Sequence, residues 1–81
     1  TCYPNPFNNS VTIDFGASTT GEAKAEVFDL TGKLVNRISG TNVSKLIWNG
    51  KTRANNVCAP GTYFIKISEG DKSVMKKVVK I

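Results

Sequence analysis

Short segments of apolar–polar alternation, turn residues about every ten positions and no stretch with helical spacing predict an all-β chain. Six or seven such segments in so short a chain fit an immunoglobulin-like antiparallel β-sandwich of about seven short strands. No internal repeat, low-complexity tract or linker divides the sequence, so residues 1–81 read as a single domain.

The elements follow in order. The stretch TCYPNPFNNS leads in: Pro4 and Pro6 fix φ and push the residue before each toward extended conformations, which makes a stiff approach to the first strand. In VTIDF, Val11, Ile13 and Phe15 alternate with Thr12 and Asp14, giving one apolar and one polar face. EAKAEVFDL repeats the pattern with Ala23, Ala25 and Val27 until Phe28 and Leu30 break it, the signature of a bulge or a strand end. Gly32 supplies the turn in DLTGK, and KLVNRIS returns as the next strand. Gly40 to Asn42 form a turn before VSKLIWNG, which ends at Asn49 and Gly50. The longest loop, KTRANNVCAPG, delivers the chain into TYFIKIS, where Tyr63, Ile65 and Ile67 share one face. EGDK is a hairpin turn, and SVMKKVVKI is the last strand.

A domain of 81 residues has a modest core. Cys2 and Cys58 are candidates for a disulfide that would close a long loop, worth roughly 4 kcal/mol in the chain-entropy model. Two free thiols are the alternative. A bridge would imply an oxidising compartment, the periplasm or the exterior. With no histidine and only two thiols, a four-ligand zinc site is out of reach, so no metal and no cofactor are expected. Thr1 is not a translation start, and the sequence carries neither a signal peptide nor a long apolar run. The chain is therefore expected to be a piece of a longer, exported precursor.

The net charge of +5 is unevenly placed. Lys72, Lys76, Lys77 and Lys80 crowd the last strand, which has no acid, so that end suits anionic partners. The same lysines would also serve as a solubilising guard on an edge strand. Nucleic acid is disfavoured, because the basic residues are not interleaved with exposed-looking aromatics.

Catalysis is largely excluded. Without histidine no Ser-His-Asp or Cys-His arrangement exists, and Asp14, Glu22, Glu26, Asp29, Glu69 and Asp71 are scattered over polar faces and turns. No P-loop, dinucleotide fingerprint or calcium loop is present. Trp48 would interest a carbohydrate-binding reading, but its i, i+2 spacing from Leu46 places it on a core face. Tyr3 and Tyr63 read the same way. Asn8 and Asn42 begin Asn-x-Ser sequons, which matter only in a host that glycosylates them.

YPNPFNNSVTIDF (Tyr3 to Phe15), AEVFDLTGKLV (Ala25 to Val35), IWNG (Ile47 to Gly50), PGTYFIKI (Pro60 to Ile67) and KKVVK (Lys76 to Lys80) occur in the order and at about the spacing of a known family. Taken together they cover nearly the whole chain. In them the sequence resembles the type A C-terminal sorting domain of the type IX secretion system of the Bacteroidetes and their relatives. The fold it implies is also similar to the immunoglobulin-like domain of flagellar hook-capping proteins.

That resemblance implies a non-catalytic signal. The precursor would cross the inner membrane by an N-terminal signal peptide, and the folded domain would be recognised by the outer-membrane secretion machinery. A sortase-like protease would then cut it from the upstream cargo, which is released or joined to the cell surface. Pro4, Asn5 and Pro6 match the family's opening turn, Gly61 and Tyr63 its Gly-x-Tyr, and Lys77, Val78, Val79 and Lys80 its terminal motif. Lys76 through Lys80, with Gly61 and Tyr63, are the residues expected to be read. Gly61 is expected to permit a tight approach and Tyr63 to fill the core. An open terminal edge strand flanked by lysines would be captured by strand addition. Cys2 and Cys58 stand where the family has apolar or small residues, and the CAPG loop is one residue longer than its common spacing. The competing reading is a carbohydrate-binding or spacer module of a secreted hydrolase, with Trp48 or a tyrosine exposed. An adhesive domain that self-associates through its edge is a third.

Overall fold

The alternation of apolar and polar side chains is realised as seven strands and no helix in a computed structural model that describes residues 1–81. They are β1 (Cys2–Tyr3), β2 (Val11–Asp14), β3 (Glu22–Phe28), β4 (Leu34–Thr41), β5 (Lys45–Trp48), β6 (Gly61–Glu69) and β7 (Lys72–Lys80). Two antiparallel sheets form, one of three strands in the order β1-β2-β5 and one of four in the order β4-β3-β6-β7. β7 is thus an edge strand.

The inward residues of both sheets make one core. Val11, Ile13, Leu46 and Trp48 come from the smaller sheet, and Ala23, Ala25, Val27, Tyr63, Ile65, Ile67 and Val78 from the larger. Trp48 is fully buried between Phe7 and Tyr63, with ring centroids at 5.4 and 5.3 Å in edge-to-face geometry. Each such pair contributes about 0.5–1.5 kcal/mol beyond the area it buries. The indole N–H donates to the Lys51 carbonyl at 2.9 Å, so burying the ring leaves no orphan donor. The phenol of Tyr63 similarly donates to the Ala59 carbonyl and ties the long loop to β6.

One local expectation is met and two details differ from it. The ladder between β3 and β4 shifts register between Val27 and Phe28, which is the bulge that the broken alternation forecast, and Leu30 beyond it is exposed. Gly40 and Thr41 extend β4 instead of turning. The Val43 side chain lies so close that a Cβ on Gly40 would stand 2.9 Å from it, so glycine is needed there for space. Finally, Cys2–Tyr3 pair with Ile13 and Thr12, a short strand too brief for its periodicity to show.

The Cys2–Cys58 bridge is not formed; both thiols are free. Cys2 stands opposite Ile13, which faces Leu46, whereas the Cys58 N–H bonds the Gly50 carbonyl four residues further along. Four extended residues span roughly 13 Å, beyond the reach of a disulfide. Cysteine usage therefore says nothing about compartment. Burial pushes both thiols above their ordinary range, offset at Cys2 by the amino terminus and Lys76, and at Cys58 by Lys80 and Tyr63.

Candidate functional site

The site begins with β7. Its register with β6 pairs Gly61 with Lys80, Tyr63 with Val78 and Ile65 with Lys76, so the Gly-x-Tyr and the terminal motif are direct neighbours. Alternation then sends Lys72, Val74, Lys76, Val78 and Lys80 to the inner side and Ser73, Met75, Lys77 and Val79 to the outer. Val78 is fully buried, while Val74, Lys76 and Lys77 are exposed. The inner side chains at Lys72, Val74 and Lys76 stay open because the facing sheet ends in the two-residue β1.

Lys80 corrects the expectation of a fully displayed lysine motif, since it is only 8% exposed. Its stem lies against Gly50, where a Cβ would approach Lys80 Cε to 3.2 Å, the Asn9 carbonyl to 3.0 Å and the Phe7 ring to 3.6 Å. Gly50 has φ +72°, so both backbone and space require glycine there. No buried side-chain nitrogen lacks a partner, and the Lys80 ammonium accordingly emerges at the rim while its methylenes pack. Gly61 is also explained differently. Nothing lies within 4 Å of its missing Cβ, and its φ of +148° is what favours glycine.

The Pro-Asn-Pro lead-in covers part of the β7 edge. Both X-Pro bonds, Tyr3–Pro4 and Asn5–Pro6, are cis. Asn5 Nδ2 donates to the Lys77 carbonyl at 3.1 Å, and Asn5 Oδ1 accepts from the Val79 N–H at 3.0 Å. One step on, the Phe7 N–H donates to the Val79 carbonyl and the Phe7 carbonyl accepts from the Ile81 N–H, each at 2.8 Å. A side-chain amide and a backbone amide thus stand in for a neighbouring strand. The expected open terminal edge is consequently closed from Lys77 to Ile81, and what stays open lies nearer the hairpin. Residue composition alone missed this bracing and missed Phe7, which is almost wholly buried; the Asn between two prolines was the available signal.

Charge is concentrated on the open portion. Arg37–Glu26, at 3.2 Å, is the fold's single ion pair, so no lysine of β7 is neutralised by a carboxylate. No flat aromatic platform accompanies them: Trp48 and Tyr63 are buried, and half-exposed Tyr3 spends its hydroxyl on the Asp14 carboxylate at 3.1 Å. The sequon residue Asn42 likewise uses its side chain, accepting from the Gly21 N–H at 2.8 Å. One concavity, lined by Val35, Arg53, Val57, Cys58 and Tyr63 among others, holds a single carboxylate, Asp29, while another at the β6–β7 turn brings Glu69 and Asp71 together beside Lys72.

A small β-sandwich whose first and last segments brace each other is what the site defines. Residues 1–81, the whole chain, match the family described as the secretion system C-terminal sorting domain, and the chain belongs to that family. Its role is that of a C-terminal signal in type IX secretion, which implies interaction with the secretion machinery and delivery to the cell surface or beyond. No curated protein sequence matches it. Two solved structures share the fold over the full chain. PorZ, an essential bacterial surface component of the type IX secretion system of Porphyromonas gingivalis, is 24% identical with a TM-score of 0.76. Dimeric latent PorU from the same organism is 18% identical with a TM-score of 0.72. The present chain spans only 11% and 9% of the lengths of those two chains.

Proposed function

We propose that this domain is a non-catalytic address read by the outer-membrane secretion machinery through β7, after periplasmic transit of the precursor. A sortase-like protease then severs it from an upstream cargo, which is released or attached to the cell surface. The observation that carries this reading is the exposure of Lys76 and Lys77 on the edge strand of a domain that belongs over its whole length to the sorting family. Unpaired ammonium groups on a rigid strand offer a fixed pattern of positive charge without needing a pocket or a reaction.

Deleting residues 76–81 is a poor test by itself, because it removes Val78 and Lys80 from the packed region. The better test fuses a signal-peptide-bearing fluorescent protein to residues 1–81 and compares it with Lys76→Glu/Lys77→Glu in a type IX-competent bacterium. Export of the parent fusion and periplasmic retention of a folded double variant are expected. Equal export of both would remove these lysines from the address.

A further inference from the structure

The backbone of β7 has two halves. Since Lys77, Val79 and Ile81 present their free backbone groups to Asn5 and Phe7, the two-residue repeat of an antiparallel strand makes Ser73 and Met75 outward-facing too. No segment of the chain pairs with them, and the Lys77 N–H also points outward without a partner. The open edge is therefore short and bounded. It starts at the β6–β7 turn and stops where the Asn5 amide begins.

Side chains along that edge are equally specific. Lys72 and Lys76 lie on its inner side and Lys77 on its outer side, with no acid between Lys72 and Lys80. Beneath the inner side, Phe15, Ile67 and Val74 form the apolar part of a groove beside the short β1, which Lys72 and Ser73 also line and which carries the carboxylates Glu69 and Asp71 at its β6–β7 turn end. We propose that Ser73–Lys77 is a docking edge for an extended acidic segment of a partner protein, which adds as a fifth strand and places one apolar side chain in the Phe15–Ile67–Val74 groove. Main-chain bonds to Ser73 and Met75 supply affinity, and the lysines select the sign of the partner's charge. A second copy is a poor occupant, because two β7 strands laid edge to edge would set lysines against lysines. This deepens the sorting reading, and the partner's place in the secretion machinery rests on that reading.

Proline at position 73 removes the outward N–H and leaves the β6 ladder intact, so Ser73→Pro is the informative variant and Ser73→Ala its control. Purified chain is titrated with a synthetic Glu/Val-alternating heptapeptide and with its Lys/Val counterpart, and thermal melts establish that each variant is folded. The acidic peptide is expected to bind at least about tenfold more tightly than the basic one, and Ser73→Pro to weaken it by about tenfold or more. Lys72→Glu/Lys77→Glu, which leaves the backbone untouched, is expected to reverse the preference. Equal binding by Ser73→Pro and Ser73→Ala, no preference for the acidic peptide, or concentration-dependent dimerisation of the parent chain that Ser73→Pro abolishes would each overturn the proposal. In cells, a parent fusion and a Ser73→Pro fusion exported alike would overturn it while leaving the sorting reading standing. A parent fusion that is never exported would instead bring down the sorting reading, and the partner assignment with it.

Discussion

Asn5 Oδ1 accepts a hydrogen bond from the Val79 backbone N–H at 3.0 Å, joining residues 74 positions apart. With its Nδ2 on the Lys77 carbonyl, the side chain satisfies one donor and one acceptor of a strand edge, as a peptide unit would. The opening and closing motifs of the sequence are thereby one structural unit. Glutamine would reach too far, and aspartate would keep only half the pair.

Asn5→Ala is accordingly expected to lower stability by about 1–2 kcal/mol, two hydrogen bonds at a partly solvated edge. In a domain of this size that is a fall in Tm of roughly 5–15 °C. Asn5→Asp should retain the Val79 contact and place a carboxylate oxygen against the Lys77 carbonyl, with a loss no smaller than about half as large. Urea unfolding of the three proteins checks the order. An alanine variant as stable as the parent would mean that water replaces the amide at no cost.

Much of this fold was legible because period-two alternation leaves a strong mark. Val11/Ile13, Ala23/Ala25/Val27 and Tyr63/Ile65/Ile67 all face the core as their spacing required, and Trp48 follows Leu46 inward. The site was harder to read. Lys76, Lys77 and Lys80 look equivalent in sequence, yet one lies on the inner overhang, one on the outer face and one along Gly50. Their difference depends on how wide the opposite sheet is, which no local pattern encodes. The closure of the edge by Asn5 and Phe7 is likewise a long-range event, and the free state of Cys2 and Cys58 depends on a register between distant strands.

Lys80 should behave as a packing residue and not as a charge. Lys80→Met keeps the stem against Gly50 and Phe7 and gives up only the ammonium at the rim, so stability within about 1 kcal/mol of the parent is expected. Lys80→Ala removes the stem and should cost about 1–3 kcal/mol. In the export assay Lys80→Met should pass normally. Retention of a stable Lys80→Met fusion would show that its charge is read after all.

Acid should loosen the fold through two partly exposed aspartates whose carboxylates serve the backbone. Asp29 Oδ1 accepts from the Thr31 hydroxyl at 2.6 Å and from the Thr31 and Lys33 N–H groups at 2.9 and 3.0 Å. These bonds, the Thr31 hydroxyl foremost, hold its pKa below the ordinary value. At Asp14 the Gly16 N–H has the same effect, and desolvation opposes it. A folded-state pKa below the unfolded one means the contribution is present above the ordinary carboxylate range, near pH 4, and is lost as pH falls through the folded value. Tm should therefore be flat near neutrality and drop below about pH 4. Asp29→Asn keeps an oxygen able to accept the same bonds but does not titrate. It is expected to change Tm little at neutral pH and to make the acid-side drop shallower, whereas Asp29→Ala should be less stable at every pH. An Asp29→Asn profile parallel to that of the parent would show that the acid transition arises elsewhere, with Asp14→Asn the next variant to measure.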